Sequence, residues 1–214
     1  MVKKALQFTA ENGPYVFAGE VWRRISTRAR GLMMFPSLCA KGARVGSRSY
    51  IRGIRYMQVG NNFCIGDDVW IECLSSYRGH RFIPSLVIGS NVNISRWVHI
   101  TCIEAVEIGS HTLIGSKVLI ADHNHGSYSG AQQSLPETPP AERKLGGGGS
   151  VIIEENVWIG DNVCILGPSR IGRGAVVASN SVVCGDILAN TIAGGIPART
   201  LKQFDTTKLS WERR

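Results

Sequence analysis

The sequence predicts an all-β solenoid, and three observations predict it. The first is a six-residue beat of aliphatic residues: Ile88, Ile94 and Ile100, then Ile108, Ile114 and Ile120, then Ile153, Ile159, Ile165, Ile171, Val177 and Val183. Neither a helix nor a simple hairpin has this period. A coil with three short flat sides does, because every sixth residue then points inward and stacks on the next coil. The second observation is the glycine that follows the aliphatic residue at Gly66, Gly89, Gly109, Gly115, Gly160 and Gly172. Tight corners between flat sides call for glycine or asparagine. The third is composition: 214 residues, 43% hydrophobic and 19% charged, with 25 glycines. That suits one domain with a buried core and excludes a disordered chain.

The elements follow in chain order. Residues 1–40 lie outside the beat. Phe17, Val21, Trp22, Ile25, Ala29 and Leu32 recur at helical spacing among Arg23, Arg24, Arg28 and Arg30, which predicts an amphipathic helix. The preferred reading is a cap on the open end of the solenoid, and the alternative is contact with a membrane. The solenoid occupies residues 41–200. Coil starts at Val45, Val59, Ile88, Ile108, Ile153 and Ile171 are 14, 29, 20, 45 and 18 residues apart. Three six-residue sides need 18, so the first coil reads as short and two loops leave the stack, at about 74–85 and 121–150. Long loops in a regular array carry function. Residues 146–150, with four consecutive glycines, read as the flexible return of the second loop. The beat fades at Gly194-Gly195-Ile196-Pro197, and residues 201–214 read as a short helix or tail over the last coil.

Charge is uneven. Residues 1–60 carry eleven Lys/Arg against two Glu, and residues 61–214 carry thirteen Lys/Arg against fourteen Asp/Glu. No nucleic-acid recognition motif accompanies the basic segment, so a nucleic-acid partner is set aside in favour of a phosphorylated ligand or an anionic membrane surface. No apolar run reaches the ~18 residues of a membrane span. The first residues lack the apolar stretch of a secretory signal, so the expected compartment is the cytoplasm, at or near the inner face of the membrane. Cysteines at 39, 64, 73, 102, 164 and 184 show no CxxC spacing and read as reduced packing residues.

The second loop opens with Asp122-His123-Asn124-His125. His123 lies three residues past the inward Ile120, where the chain leaves the coil. A histidine there is held by the stack at its edge and suits a general base. On an extended segment His123 and His125 would face one side and could share a metal, with a third ligand from His99 or His111 of another subunit. The spacing does not favour this, and no metal is expected. The role of Asp122 stays open, since neighbours on an extended segment face opposite sides.

The repeat, the exit histidine in Ala121-Asp122-His123-Asn124-His125, the segment Asn156-Val157-Trp158-Ile159-Gly160 and the ending Ala193-Gly194-Gly195-Ile196-Pro197-Ala198-Arg199 together resemble the hexapeptide-repeat acyltransferases. Within them the chain is most similar to the galactoside and maltose acetyltransferase type and to the O-acetyltransferases of surface polysaccharides. The resemblance covers roughly residues 45–200. It implies a left-handed parallel β-helix, a homotrimer, and acetyl-CoA as cosubstrate in the groove between subunits. It places the base at His123. Where the family carries an asparagine near the acceptor this chain has Ser95, and His125 or Asn124 is the substitute. Coenzyme contacts carry over to Trp158, Asp161, Ser179, Arg199 and Lys202. Cys184 and Gly185 stand where the family has Thr-Lys, without its charge. Arg199 and Lys202 suit phosphates.

The expected function is transfer of acetyl from acetyl-CoA to a sugar hydroxyl in cell-surface polysaccharide biosynthesis. The acceptor would be lipid-linked or nucleotide-linked, and hydroxyls and amides of Ser127, Tyr128, Ser129, Gln132 and Gln133 would bind it. The alternatives are N-acetylation of an amino sugar, a non-catalytic assembly solenoid, and a metal-dependent hydratase.

Overall fold

A computed structural model describes residues 2–34 and 41–213. Cys39, and the boundary drawn at residue 40, fall outside these residues. Two helices, α1 (Val2–Asn12) and α2 (Pro14–Met34), precede a stack of short strands. The strands form three sheets, the three sides of the coil. Side 1 has nine strands, side 2 six and side 3 five. Pairing within the stack is parallel and in register, as a coil passing each side once per turn requires.

Each side buries one ladder. Side 1 stacks Val45, Ile65, Ile94, Ile114, Ile159 and Val177. Side 2 stacks Ile51, Ile71, Ile100, Ile120, Ile165 and Val183. Side 3 stacks Val59, Ile88, Ile108, Ile153 and Ile171. All but Ile51 and Val59 are buried. Burying one such side chain is worth roughly 1.5–3 kcal/mol.

The register corrects the reading of the first coil. Val45 pairs with Ile65 on side 1, not with the side-3 ladder of Val59. Measured along one side the coil is not short. Corners turn through left-handed backbone, with Asn62, Asn91, Asn156, Asn162 and Asn180 at φ near +60°, and also Arg48, His111, Lys117 and Trp97. Asparagine dominates as expected. Arg96 and Lys117 each place a cation over the Trp97 ring, 5.4 and 5.8 Å from its centroid.

Both predicted loops leave the stack. The first carries a small hairpin, Ser76–Tyr77 against His80–Arg81. The second is closed at its base by Asn124–His125 against Leu145–Gly146. The C-terminal segment is neither helix nor tail. Thr191–Gly195, Ala198–Asp205 and Ser210–Arg213 form an antiparallel extension of side 1. Gly195, at φ 103°, allows the reversal, and Phe204 faces Trp211 across the last pair with ring centroids 5.2 Å apart. Among the described residues no helix is long and apolar enough to cross a membrane.

Candidate active site

His123 stands on the edge between sides 2 and 3. The strand Leu119–Ala121 ends two residues earlier, so strand alternation no longer governs Asp122 and His123. The backbone turns both side chains together, and His123 Nδ1 lies 2.7 Å from Asp122 Oδ1. Asp122 is 1% exposed and the His123 side chain 7%. The Asp122 carboxylate also accepts the backbone N–H of Ile103 at 3.0 Å and of Glu104 at 2.7 Å. Burial works to raise the pKa of Asp122. The bonds from His123, from the N–H groups of Glu104 and Ile103 and from the Cys102 thiol outweigh it and hold the carboxyl below its usual range. An ionised carboxylate only accepts, so Nδ1 carries a proton, and in the neutral ring the lone pair is then on Nε2. No protein group among the described residues bonds Nε2.

The glycine run is part of this site, which corrects its reading as a flexible return. Gly149 N donates to Asp122 O at 2.9 Å. A Cβ on Gly148 would lie 2.3 Å from Asp122 O and 2.8 Å from His123 Cα. Only glycine lets this strand of loop lie against the backbone that carries the imidazole.

A second histidine sits nearby. His99 stacks on Trp70 with centroids 4.4 Å apart, and its Nε2 is 3.6 Å from Glu72 Oε1. Burial lowers its pKa, Glu72 opposes this, and the nearby His123 adds to the lowering. Thr101 Oγ1 is buried without a hydrogen-bond partner, and His99 Nε2 has none closer than the Glu72 carboxylate. His125 instead meets the ring of Tyr77 edge-on at 5.5 Å, and Tyr77 Oη donates to Ala141 O at 2.8 Å. The two loops thus touch. Arg143, not singled out by the sequence, binds Tyr128 Oη, Thr138 O and Pro136 O and ties the second loop together. The polar residues expected to face a carbohydrate partly serve the same end: Tyr128 Oη donates to His125 O, Ser127 Oγ to Ser129 O and Gln133 Nε2 to Gly130 O.

The other candidates divide between two edges. Cys184 and Gly185 follow Val183 on the edge that carries His123, two coils further on. Ser95, Asp161 and Ser179 lie on the edge between sides 1 and 2. There Asp161 Oδ1 accepts Ser116 N at 2.6 Å and Asp161 N donates to Ser179 Oγ at 3.1 Å. Ser95 lines a cavity of about 640 Å³ under α2, among Arg23, Arg24, Arg28, Arg44 and Arg96. Trp158 is exposed on the outer face of side 1. Arg199 and Lys202 lie on the antiparallel extension of that side. One chain therefore does not bring Ser95, Trp158, Asp161 or Ser179 to His123. Among the described residues no three His, Cys, Asp or Glu side chains converge as a metal would need.

Comparison with known proteins identifies the repeat. The family model of the bacterial transferase hexapeptide (six repeats) matches residues 150–185. A protein of Escherichia coli (strain K12) named as a lipopolysaccharide biosynthesis O-acetyl transferase, WbbJ, is 40% identical over 165 residues, covering 77% of this chain and 80% of that one. The chain belongs to the hexapeptide-repeat acyltransferases. A tetrahydropyridine-dicarboxylate N-acetyltransferase of Staphylococcus aureus is 47% identical over a shorter stretch, 53 residues, which is 25% of this acyltransferase and 22% of that one. Among solved structures, AntD, an N-acyltransferase from Bacillus cereus in complex with dTDP-4-amino-4,6-dideoxyglucose and coenzyme A, superposes with a TM-score of 0.60. It is 22% identical and covers 76% of this acyltransferase and 82% of its own chain, a likeness of fold.

Proposed function

We propose that this acyltransferase moves acetyl from acetyl-CoA to a sugar hydroxyl of a cell-surface polysaccharide precursor, with His123 as general base. The observation that carries the reading is the Asp122–His123 pair, one charged carboxylate fixing the tautomer of a nearly buried imidazole. The relative at 40% identity favours a hydroxyl acceptor over an amine. The reading takes residues 1–40 as a cap, 41–200 as the left-handed coil and 201–214 as its C-terminal cover.

The residues suit an acyl-coenzyme A by their chemistry. Arg199 and Lys202 supply cations for its phosphates, and the exposed Trp158 supplies an apolar wall for its pantetheine arm. When bound, the thioester supplies an electrophilic carbonyl and a thiolate leaving group. The chain's own part is then proton handling. Nε2 of His123 accepts the proton of the acceptor hydroxyl as that oxygen becomes a nucleophile. Asp122 stays ionised, keeps the proton on Nδ1 and stabilises the imidazolium that forms. Nε2 then returns its proton to the departing sulfur. The division of the candidates between two edges supports a site shared by neighbouring copies, with His123 from one and Trp158, Asp161 and Ser179 from the next, as in a homotrimer.

The test is thiol release from acetyl-CoA with a panel of sugars, each paired with its amino analogue. Release that depends on the hydroxyl sugar is the expected result. Release only with the amine would make the protein an N-acetyltransferase, and release with neither would remove the sugar acceptor.

A further inference from the structure

Helix α2 covers the end of the coil with its polar face, not its apolar one. At about 3.6 residues per turn, Tyr15, Trp22, Ile25, Leu32 and Met33 fall within an arc of about 100°. A cap seated by its apolar side would bury this stripe on the coil. Instead Trp22 is 70% exposed, Ile25 57% and Leu32 74%. The opposite, small and polar face meets the stack. Thr27 is 6% exposed, and Gly31 packs so closely that a Cβ would lie 2.3 Å from Ala43 O. Arg30 Nε, on the flank, donates to Val45 O at 2.9 Å and locks this orientation. The helix is held by its polar side and offers its apolar side outward.

We propose that this stripe inserts into the headgroup boundary of an anionic phospholipid bilayer. Two observations select that occupant. The stripe is rich in Trp, Tyr, Leu and Ile, side chains that favour the boundary between lipid and water. The positive charge of the molecule is concentrated in the part of the chain that carries the stripe: residues 1–60 have a net +9, from eleven Lys/Arg and two Glu, and the remaining residues a net −1. Arg28 flanks the stripe on one side, and Arg23, paired with Glu20 at 2.8 Å, flanks it on the other. A second copy laid on the same stripe would bring these arginines against their own kind, which disfavours self-association there. An anionic headgroup layer complements them, with Lys and Arg near the surface adding to apolar insertion.

The experiment is flotation of the full 214-residue chain with vesicles of phosphatidylglycerol and phosphatidylcholine, and with phosphatidylcholine alone. The wild type is expected to float with the anionic vesicles and to be released as salt shortens the screening length from about 10 Å at 0.1 M to about 3 Å at 1 M. Trp22→Ser/Ile25→Ser/Leu32→Ser is expected to lose at least about tenfold in partitioning while keeping its melting temperature and its mass in solution. Arg28→Gln is expected to weaken binding to anionic vesicles alone. The proposal is overturned if the wild type does not float, or if the triple variant floats equally well. A triple variant that loses oligomeric mass also overturns it, since the stripe would then join copies of the chain.

Discussion

Two edges of this prism use the same device to opposite ends. On the edge between sides 1 and 2, Asp67 and Asp161 accept N–H groups of a neighbouring coil, Ser47 at 2.7 Å and Ser116 at 2.6 Å, and neither meets an imidazole; Asp67 also accepts Ser47 Oγ at 2.9 Å and lies 4.0 Å from Arg96. On the edge between sides 2 and 3, Asp122 accepts N–H groups from Ile103 and Glu104 in the same manner. The difference is enclosure and one neighbour. Asp122 is buried by the second loop, and its remaining acceptor capacity goes to His123. A stitch between coils thus becomes an orienting group when it is desolvated and placed against an imidazole.

The comparison can be broken by substitution. The largest expected effect is at His123→Ala, which should lower kcat by about 10²–10⁴-fold, measured by acceptor-dependent thiol release. Asp122→Asn keeps the shape and removes the charge, so the imidazole loses its enforced tautomer. A fall in kcat of about 10–100-fold is expected, with little change in KM for acetyl-CoA. Asp161→Asn should change kcat by less than Asp122→Asn, and equal losses at the two sites would erase the distinction between the edges.

Stability separates the edges as well. Asp122→Asn should cost about 1–3 kcal/mol at neutral pH, read by denaturant unfolding. The folded Asp122 has a lowered pKa, so its contribution is fully present above the unfolded carboxylate value of about 3.9. The contribution disappears as pH falls through the folded value. The gap between wild type and variant should therefore narrow only in acid, and a gap constant with pH would contradict the ionised state. The smallest effect tests the glycine run. Gly148→Ala should lower both stability and kcat, because the loop must move off the Asp122 backbone. Gly146→Ala, where a Cβ meets nothing within 4 Å, should leave both within error.

The sequence carried the coil because one inward residue per side repeats almost without exception. It could not carry the identity of the sides. A period of six looks alike on all three, so Val45 was aligned with Val59 although it belongs with Ile65. Asp122 was hidden by a sound rule applied one residue too far, since alternation ends with the strand at Ala121. Gly147, Gly148 and Gly149 look like a linker in composition, and close backbone approach leaves no mark in composition. The final strands were missed because Ala198–Asp205 lies beyond the repeat and pairs antiparallel, a change of pattern that follows from one turn at Gly195 and Pro197. His123 was legible because it stands where a regular ladder stops and a long loop starts.

The most direct test of the account is acceptor-dependent thiol release by wild type and His123→Ala, with acetyl-CoA binding measured by calorimetry on both. The account predicts unchanged binding and turnover reduced by about 10²–10⁴-fold. Turnover by His123→Ala at the wild-type rate would contradict it.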